Sequence, residues 1–302
     1  MKPPPFEFHD PRDLTEALSL LDQYGSDAKI LAGGQSLMPL MNLRLARPKI
    51  LVDINRVRDL SYIDRGNGGG LVVGAVTRQR MVERSALVQE RTPLLAAAIP
   101  LIGHVQIRNR GTIGGSLVHA DPAAELPAVA LLLGAEFVLQ SLSGQRVTRA
   151  GDFFDGYFTT AIEPTEILRE IRFPPWKRRS GWAIKEVSRR QGDFALVGIA
   201  TLLRVDENDA CEDARIAVFG AGATAVRIEG AEAALKGTYL HKENLAEAAG
   251  IVSEKLDPDS DVHASAEYRR EVAGVLTRRA LEAAAIKLRE ANEAWSQDVP
   301  SN

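Results

Sequence analysis

The sequence predicts an α+β protein in two parts, one in which strands and helices alternate and one in which strands come before helices. Three observations predict it. Strand-length apolar runs alternate with amphipathic helical stretches as far as residue 173. Pro174-Pro175 then interrupts the chain, because two successive prolines continue neither a strand nor a helix. Beyond them, three strand-like runs precede three helical ones.

In the first part, Leu14, Leu18 and Leu21 recur at helical spacing from Asp10, and Gly25 stops that helix. A strand-like run, Lys29 to Leu31, empties into Ala32-Gly33-Gly34-Gln35-Ser36. A short helix then begins within Leu37 to Leu45, Pro48 closes it, and Ile50 to Ile54 reads as a buried strand. Leu71 to Val76 is the next strand, with Thr77 capping a helix to about Val88 and another helix running from Pro93 to about Ile102. The run Gly111-Thr112-Ile113-Gly114-Gly115-Ser116 follows the basic stretch Arg108-Asn109-Arg110. Pro122 leads a helix to Leu133 that Gly134 ends. Strands Glu136 to Gln140 and Ile167 to Phe173 frame a turn-rich connection. In the second part the strands are Trp182 to Ser188, Ala195 to Val205 and Ala214 to Gly220. The helices are Val226 to Leu235, Lys242 to Glu254 and about Ala264 to Ala291.

Composition narrows the function. The 302 residues are 45% apolar and 25% charged, enough for two or three packing units. A net charge of −3 offers no broad positive field for nucleic acid. There is no uninterrupted apolar stretch of about 18 residues, and Met1-Lys2-Pro3-Pro4-Pro5 lacks the apolar region of a secretory signal, so a cytoplasmic location without a membrane span is expected. Cys211 is the sole cysteine, and the five histidines lack metal-site spacing, which leaves no disulfide, zinc site or four-cysteine cluster on this chain. Redox chemistry here therefore requires an organic cofactor.

The two glycine runs carry that possibility. A diphosphate bears two negative charges and needs several donors at once, which consecutive backbone amides provide where no side chain blocks the approach. With hydroxyls at Ser36 and Thr112 and the amide of Gln35, each run reads as a small anion nest beside a helix start. Either glycine pair alone reads as readily as a tight turn; two in one domain point to a bound diphosphate. Gly220-Ala221-Gly222-Ala223-Thr224-Ala225 imitates a dinucleotide fingerprint, but no β-α-β unit surrounds it, and it reads as a structural turn.

Together, Ala32 to Leu37, Ile107 to Ser116 and His119-Ala120-Asp121-Pro122-Ala123-Ala124-Glu125-Leu126-Pro127 resemble the FAD-binding medium subunits of the molybdenum hydroxylases, the family of xanthine dehydrogenase and aerobic carbon monoxide dehydrogenase. The resemblance runs from Phe6 to about Leu288, and includes Pro164 to Leu168 and Lys185 to Gly198. It implies a vanillyl-alcohol-oxidase-like (PCMH-type) FAD-binding domain over 1–175, made of two α/β subdomains at about 1–55 and 56–175. A C-terminal α+β domain similar to that of CO dehydrogenase flavoproteins follows over 178–290, with a disordered tail over 291–302.

Carried over residue by residue, the resemblance implies non-covalent FAD. Its diphosphate and ribityl chain would lie against Lys29, Ile30, Leu31, Ala32, Gly33, Gly34, Gln35 and Ser36, and against Thr112, Ile113, Gly114, Gly115 and Ser116. Gln35 stands where some relatives carry histidine. Glu125, where many relatives have aspartate, would contact the adenosine side, and Ile102 and Ile167 would line the cofactor. Lys185 matches a lysine near the isoalloxazine, where a cation stabilises anionic reduced flavin and raises its potential. No catalytic residue or metal ligand is implied.

In function, the resemblance implies an electron relay within a dimer of heterotrimers. A large subunit would carry the molybdenum cofactor and a small subunit two 2Fe–2S clusters, with electrons leaving this FAD for an external acceptor. The single cysteine agrees, since the clusters then reside on another chain. Two other readings stand beside it: a self-sufficient flavin oxidase or reductase, for which no Tyr/His/Arg cluster advertises an acid or base, and an interaction subunit without cofactor. Several residues keep two or more readings. Lys185 sits near flavin or faces water; Arg108 and Arg110 bind phosphate, pair locally or meet a partner; Tyr157 stacks on flavin or fills the core. His119 reads as a packing residue.

Overall fold

The computed structural model describes residues 2–177 and 179–297, with side chains through residue 291. Two compact units emerge, each discontinuous in sequence. The first takes the chain up to Asp121 and then Gly134–Pro175; the second takes Pro122–Leu133 and the chain from Trp176.

The first unit holds two principal sheets. Strands β1 (Glu7–His9), β2 (Ala28–Leu31) and β3 (Ile50–Asp53) form a parallel sheet in the order β1-β3-β2. The central strand β3 buries Ile50, Leu51 and Val52 in succession, as a strand covered on both faces must. Helix α1 (Leu14–Tyr24) crosses between β1 and β2, capped by Asp13, whose carboxylate accepts from the Glu16 amide at 2.9 Å. Its Ala17, Leu18 and Leu21 meet Ile50, Val52 and Ile54 in a shared core. Helix α2 (Leu37–Asn42) lies between β2 and β3, and the register pairs Leu31 with Asp53, so these two parallel strands end side by side. Strand β1 has no counterpart among the predicted elements, because three partly polar residues carry no readable alternation.

The second sheet is antiparallel. Strands β4 (Ile63–Arg65), β5 (Leu71–Gly74), β6 (Glu136–Ser141) and β7 (Gly144–Arg149) join β10 (Ile167–Phe173) in the order β4-β5-β10-β6-β7, while β8 (Phe154–Gly156) and β9 (Thr159–Thr160) form a small separate ribbon. Polar β7 was not expected; it is an edge strand with almost every residue exposed, and lacks an apolar face to announce it. Between β5 and β6, within this unit, run α3 (Gln79–Arg84), α4 (Ala86–Arg91), α5 (Pro93–Ala98), α6 (Val105–Arg110) and α7 (Ile113–His119). The single helix expected from Thr77 to Val88 is broken at Ser85. That residue is extended, and its hydroxyl accepts from the Val88 amide at 3.3 Å to start α4. Thr77 caps nothing. Its buried hydroxyl exchanges bonds with both backbone groups of Tyr62 instead.

The second unit has three layers. Strands β11 (Ser180–Ser188), β12 (Ala195–Val205), β13 (Cys211–Phe219) and β14 (Val226–Arg227) form an antiparallel meander in chain order. Helix α8 (Glu125–Leu133) packs on one face, where Arg215 of β13 donates to the Leu132 carbonyl at 3.0 Å. Helices α9 (Glu229–Leu235), α10 (Lys242–Lys255) and α11 (Ala266–Gln297) cover the other face, meeting Val197, Ile199, Ile216 and Val218. The segment 226–235, expected to be all helix, begins as β14 and turns helical at Glu229. Helix α11 continues past Ala291 to Gln297, into the segment expected to be a disordered tail; residues 298–302 lie outside the described residues. The fingerprint-like Gly220 run is a turn from β13 to β14. Gly220 has φ +75°, donates to the Pro122 carbonyl at 2.8 Å and accepts from Arg269 at 2.8 Å.

Candidate functional site

Both glycine runs lie in the first unit and touch each other. The first leaves β2 at its carboxyl end, the position where open parallel sheets present ligand sites. Gly34 adopts φ +73°, a conformation that favours glycine. A Cβ on Gly33 would meet the Arg110 carbonyl oxygen at 2.5 Å and the Gly111 Cα at 2.8 Å, and one on Gly115 would lie 3.6 Å from the Ala32 Cβ. Gly33 is therefore required where the runs pack together, and its bare side faces protein rather than an open approach.

Their amides are used differently. In the described residues, the backbone N–H groups of Gly33, Gly34, Gln35 and Ser36 donate to no protein acceptor. Gln35 turns its side-chain amide back to the Gly33 carbonyl at 3.2 Å, and Ser36 makes no side-chain bond to cap α2. Four consecutive unengaged amides, on buried Gly33 and half-buried Gly34, Gln35 and Ser36, fit an anionic group such as a diphosphate.

The second run is not the open nest its letters suggest. It is the first turn of α7, with Thr112 as N-cap. The Ile113 amide donates to Thr77 O at 3.0 Å, Gly114 to Ala75 O at 2.9 Å, Gly115 to the Thr112 hydroxyl at 3.0 Å and Ser116 to Thr112 O at 3.3 Å. Ser116 thus makes the first ordinary helical bond, and Ile113, Gly114 and Gly115, three of the four donors that a helix start usually leaves orphaned, are held by the protein itself. Gly114 is buried, and a Cβ there would strike Ala75 at 2.5 Å. Thr112 is 2% exposed, so the hydroxyl of half-buried Ser116, not these amides, is what this run can turn toward a ligand.

A brace missed in the sequence sets the first run against the second. Asn55, just past β3, donates to Ala32 O at 2.7 Å and contacts the Asp53 carboxylate. Arg78 donates to the Asn55 side-chain oxygen at 2.6 Å and to Arg110 O at 2.5 Å. The signal available for it was Asp53-Ile54-Asn55: polar residues ending a buried strand parallel to β2 and in register with it.

The other expected site residues scatter. Lys29 is exposed on β2, and Ile30 packs against the core under the parallel sheet, beside half-buried Leu31. Ile102 is half-buried, with its carbonyl accepting from Arg108 at 3.0 Å. Ile167 is 1% exposed and belongs to the core with Leu18 and Ile54. Arg108 proves to be a local staple, buried against Glu83 at 3.0 Å and donating to the carbonyls of Ile102 and Gly103, whereas the Arg110 side chain is exposed. Tyr157 is 53% exposed and does not fill the core. His119 packs on Phe158, and burial, with Lys29 nearby, holds it below the usual histidine range against the opposing pull of Asp121.

Two expected residues belong to the second unit. Glu125 is buried in the first turn of α8, and Lys185 is half-buried on β11 opposite Ile199. The next residue, Glu186, has a buried carboxylate oxygen without a hydrogen-bond partner, and burial pushes its pKa up to about 7. Lys287 lies 3.1 Å over the Trp182 ring; burial, then Lys185, pull its pKa down. Among the described residues no cluster of three or more His, Cys, Asp or Glu side chains is arranged to hold a metal, and no helix is long and apolar enough to cross a membrane.

Comparison with known proteins adds the family. Residues 4–176 match the family described as FAD binding domain in molybdopterin dehydrogenase, and residues 182–284 the CO dehydrogenase flavoprotein C-terminal domain. Subunit alpha of the 6-hydroxypseudooxynicotine dehydrogenase complex from Paenarthrobacter nicotinovorans is 43% identical, over 97% of this chain and 99% of its own. A solved structure of carbon monoxide dehydrogenase from Hydrogenophaga pseudoflava aligns with a TM-score of 0.91 at 42% identity, covering 95% of this chain and 99% of that one. Quinoline 2-oxidoreductase from Pseudomonas putida 86 aligns equally well, with a TM-score of 0.91 at 36% identity and coverages of 95% and 99%.

Proposed function

Since the chain belongs to the FAD-binding medium-subunit family of the molybdenum hydroxylases, we propose that it holds FAD chiefly through the open amides of Gly33 to Ser36 and relays electrons from a partner subunit to an external acceptor. The observation that carries this reading is the unshared row of donors at the end of β2, braced by Asn55 and Arg78 against the second glycine run. When bound, FAD supplies a carrier for both paired and single electrons. The chain's own part is to bind and orient it.

In this reading the first run, with Lys29, Ile30, Leu31 and Ala32 behind it, takes the diphosphate. Ser116 adds a hydroxyl, while Thr112, Ile113, Gly114 and Gly115 form the rigid wall that keeps the first run in place. Ile102 lines the cofactor, and Ile167 supports it from the core. Glu125 serves the adenosine side and Lys185 the isoalloxazine, where its positive charge favours the anionic reduced form. The electrons come from two 2Fe–2S clusters on a small subunit, which receive them from a molybdenum cofactor on a large one, in a cytoplasmic dimer of heterotrimers. The relatives span carbon monoxide, glyceraldehyde and caffeine dehydrogenases and nicotine 6-hydroxylase. That spread fits a chain that carries electrons while another subunit selects the substrate. Cofactor and metal analysis of the complex purified with its partners tests the reading. FAD, iron and molybdenum in the same complex are expected; flavin without iron and molybdenum would overturn the relay.

A further inference from the structure

Directly after α2, the chain forms a knuckle, Leu43-Arg44-Leu45-Ala46-Arg47, that nothing in the flavin reading uses. Leu43 is 59% and Leu45 74% exposed. Adjacent exposed apolar side chains mark contact surfaces. The knuckle is not loose chain. Leu43 N–H donates to Pro39 O at 3.0 Å, Arg44 to Met41 O at 3.0 Å, and Leu45 and Ala46 to Leu40 O at 2.9 and 3.3 Å, above a fully buried Met41. Arg44 is held at φ +60°, a left-handed conformation costly for any residue with a Cβ, and Arg47 fixes it by donating to Arg44 O at 2.9 Å. The fold thus maintains a strained backbone that pushes two leucines outward.

The charges point to what covers them. Arg44 and Arg47 are exposed, and among the described residues neither is paired with a carboxylate, although the chain as a whole is acidic, at −3. We propose that this knuckle docks the chain onto another subunit of its complex, through an apolar hollow on that subunit rimmed with carboxylates. The leucines fill the hollow, and the two guanidinium groups meet the rim. This inference rests on the reading that the chain works in a multisubunit complex, and names the surface that holds it there.

The test is co-expression with the partner subunits and recovery through a tag on this chain. In Leu43→Asp/Leu45→Asp, recovered partner should fall at least tenfold, with FAD content and melting temperature as in the wild type. Arg44→Gly relieves the left-handed strain, so it should melt no lower than wild type yet recover several-fold less partner. Wild-type partner ratios in both variants would overturn the proposal. So would a wild-type chain that recovers no partner, or an isolated dimer split by the aspartates while the complex persists, since the knuckle would then join copies of this chain. Iron and molybdenum in the wild-type complex are measured separately. Their absence counts against the relay, whereas docking is judged from the partner ratio alone.

Discussion

At Gly33-Gly34 the backbone N–H groups donate to nothing else in the described chain, whereas at Gly114-Gly115 they are engaged by Ala75 and the Thr112 hydroxyl. The same residue pair therefore does two jobs. In the first run glycine permits a left-handed turn that leaves donors open; in the second it lets a helix start lie flush against the end of β5. One run is built to receive a ligand, the other to be rigid. Contact at Gly33 couples them, so the rigid run fixes the shape of the receptive one.

The largest effects should come from breaking that contact. Gly114→Val places a side chain into Ala75 backbone, and Gly33→Val into that of Arg110. Overpacking of this kind costs about 1–3 kcal/mol or more. Both variants should lose FAD during purification and lose stability in urea melts, because both sites are buried. Stoichiometric FAD in both would mean the runs are misassigned.

A finer pair separates the two jobs. Gly34→Ala strains the φ +73° turn and presses only on the Leu31 and Met38 side chains, at 3.2 and 3.3 Å, and should weaken FAD binding at least tenfold for a stability loss of about 1–2 kcal/mol. Thr112→Ala removes the α7 cap, costing about 1 kcal/mol, and should weaken FAD binding less than Gly34→Ala does. Titration of the flavin-depleted variants with FAD ranks them. The reverse order would exchange the roles of the two runs.

Much of this contrast was hidden in the letters. Both runs and their neighbours were legible, because glycine pairs with adjacent hydroxyls form a local pattern, and the two-part fold was legible from the alternation before Pro174-Pro175 and the strands-then-helices order after it. The helical start at Gly114-Gly115 was not. Glycine is a poor helix former, and only Thr112 and the distant Ala75 and Thr77 carbonyls make the turn hold. Asn55 and Arg78 were missed for the same reason: their partners Ala32 and Arg110 lie 23 and 32 residues away in sequence. The exposed, polar β7 offered no periodicity to read.

The smallest effects concern protons. Glu186 is held near pKa 7 by burial, above its ordinary value, so its protonated form favours the fold at low pH and that contribution is lost as pH rises through 7. Glu186→Gln should raise stability at pH 8 by on the order of 1 kcal/mol, after allowing for partial solvent screening, with little change at pH 5. An equal gain at both pH values would contradict the assignment. His119 is shifted the other way. The first unit should lose stability as pH falls below about 6.5, where the unfolded chain takes up a proton that the folded histidine resists. An NMR titration midpoint for His119 at or above that value would count against its burial.

Hydrogen exchange, read with and without FAD, tests the contrast between the runs most directly. The amides of Gly33 to Ser36 should exchange rapidly in the flavin-depleted chain and become protected when FAD is restored, while those of Ile113 to Ser116 stay protected throughout. Unchanged exchange at Gly33 to Ser36, with new protection at Gly114 and Gly115 instead, would contradict the account.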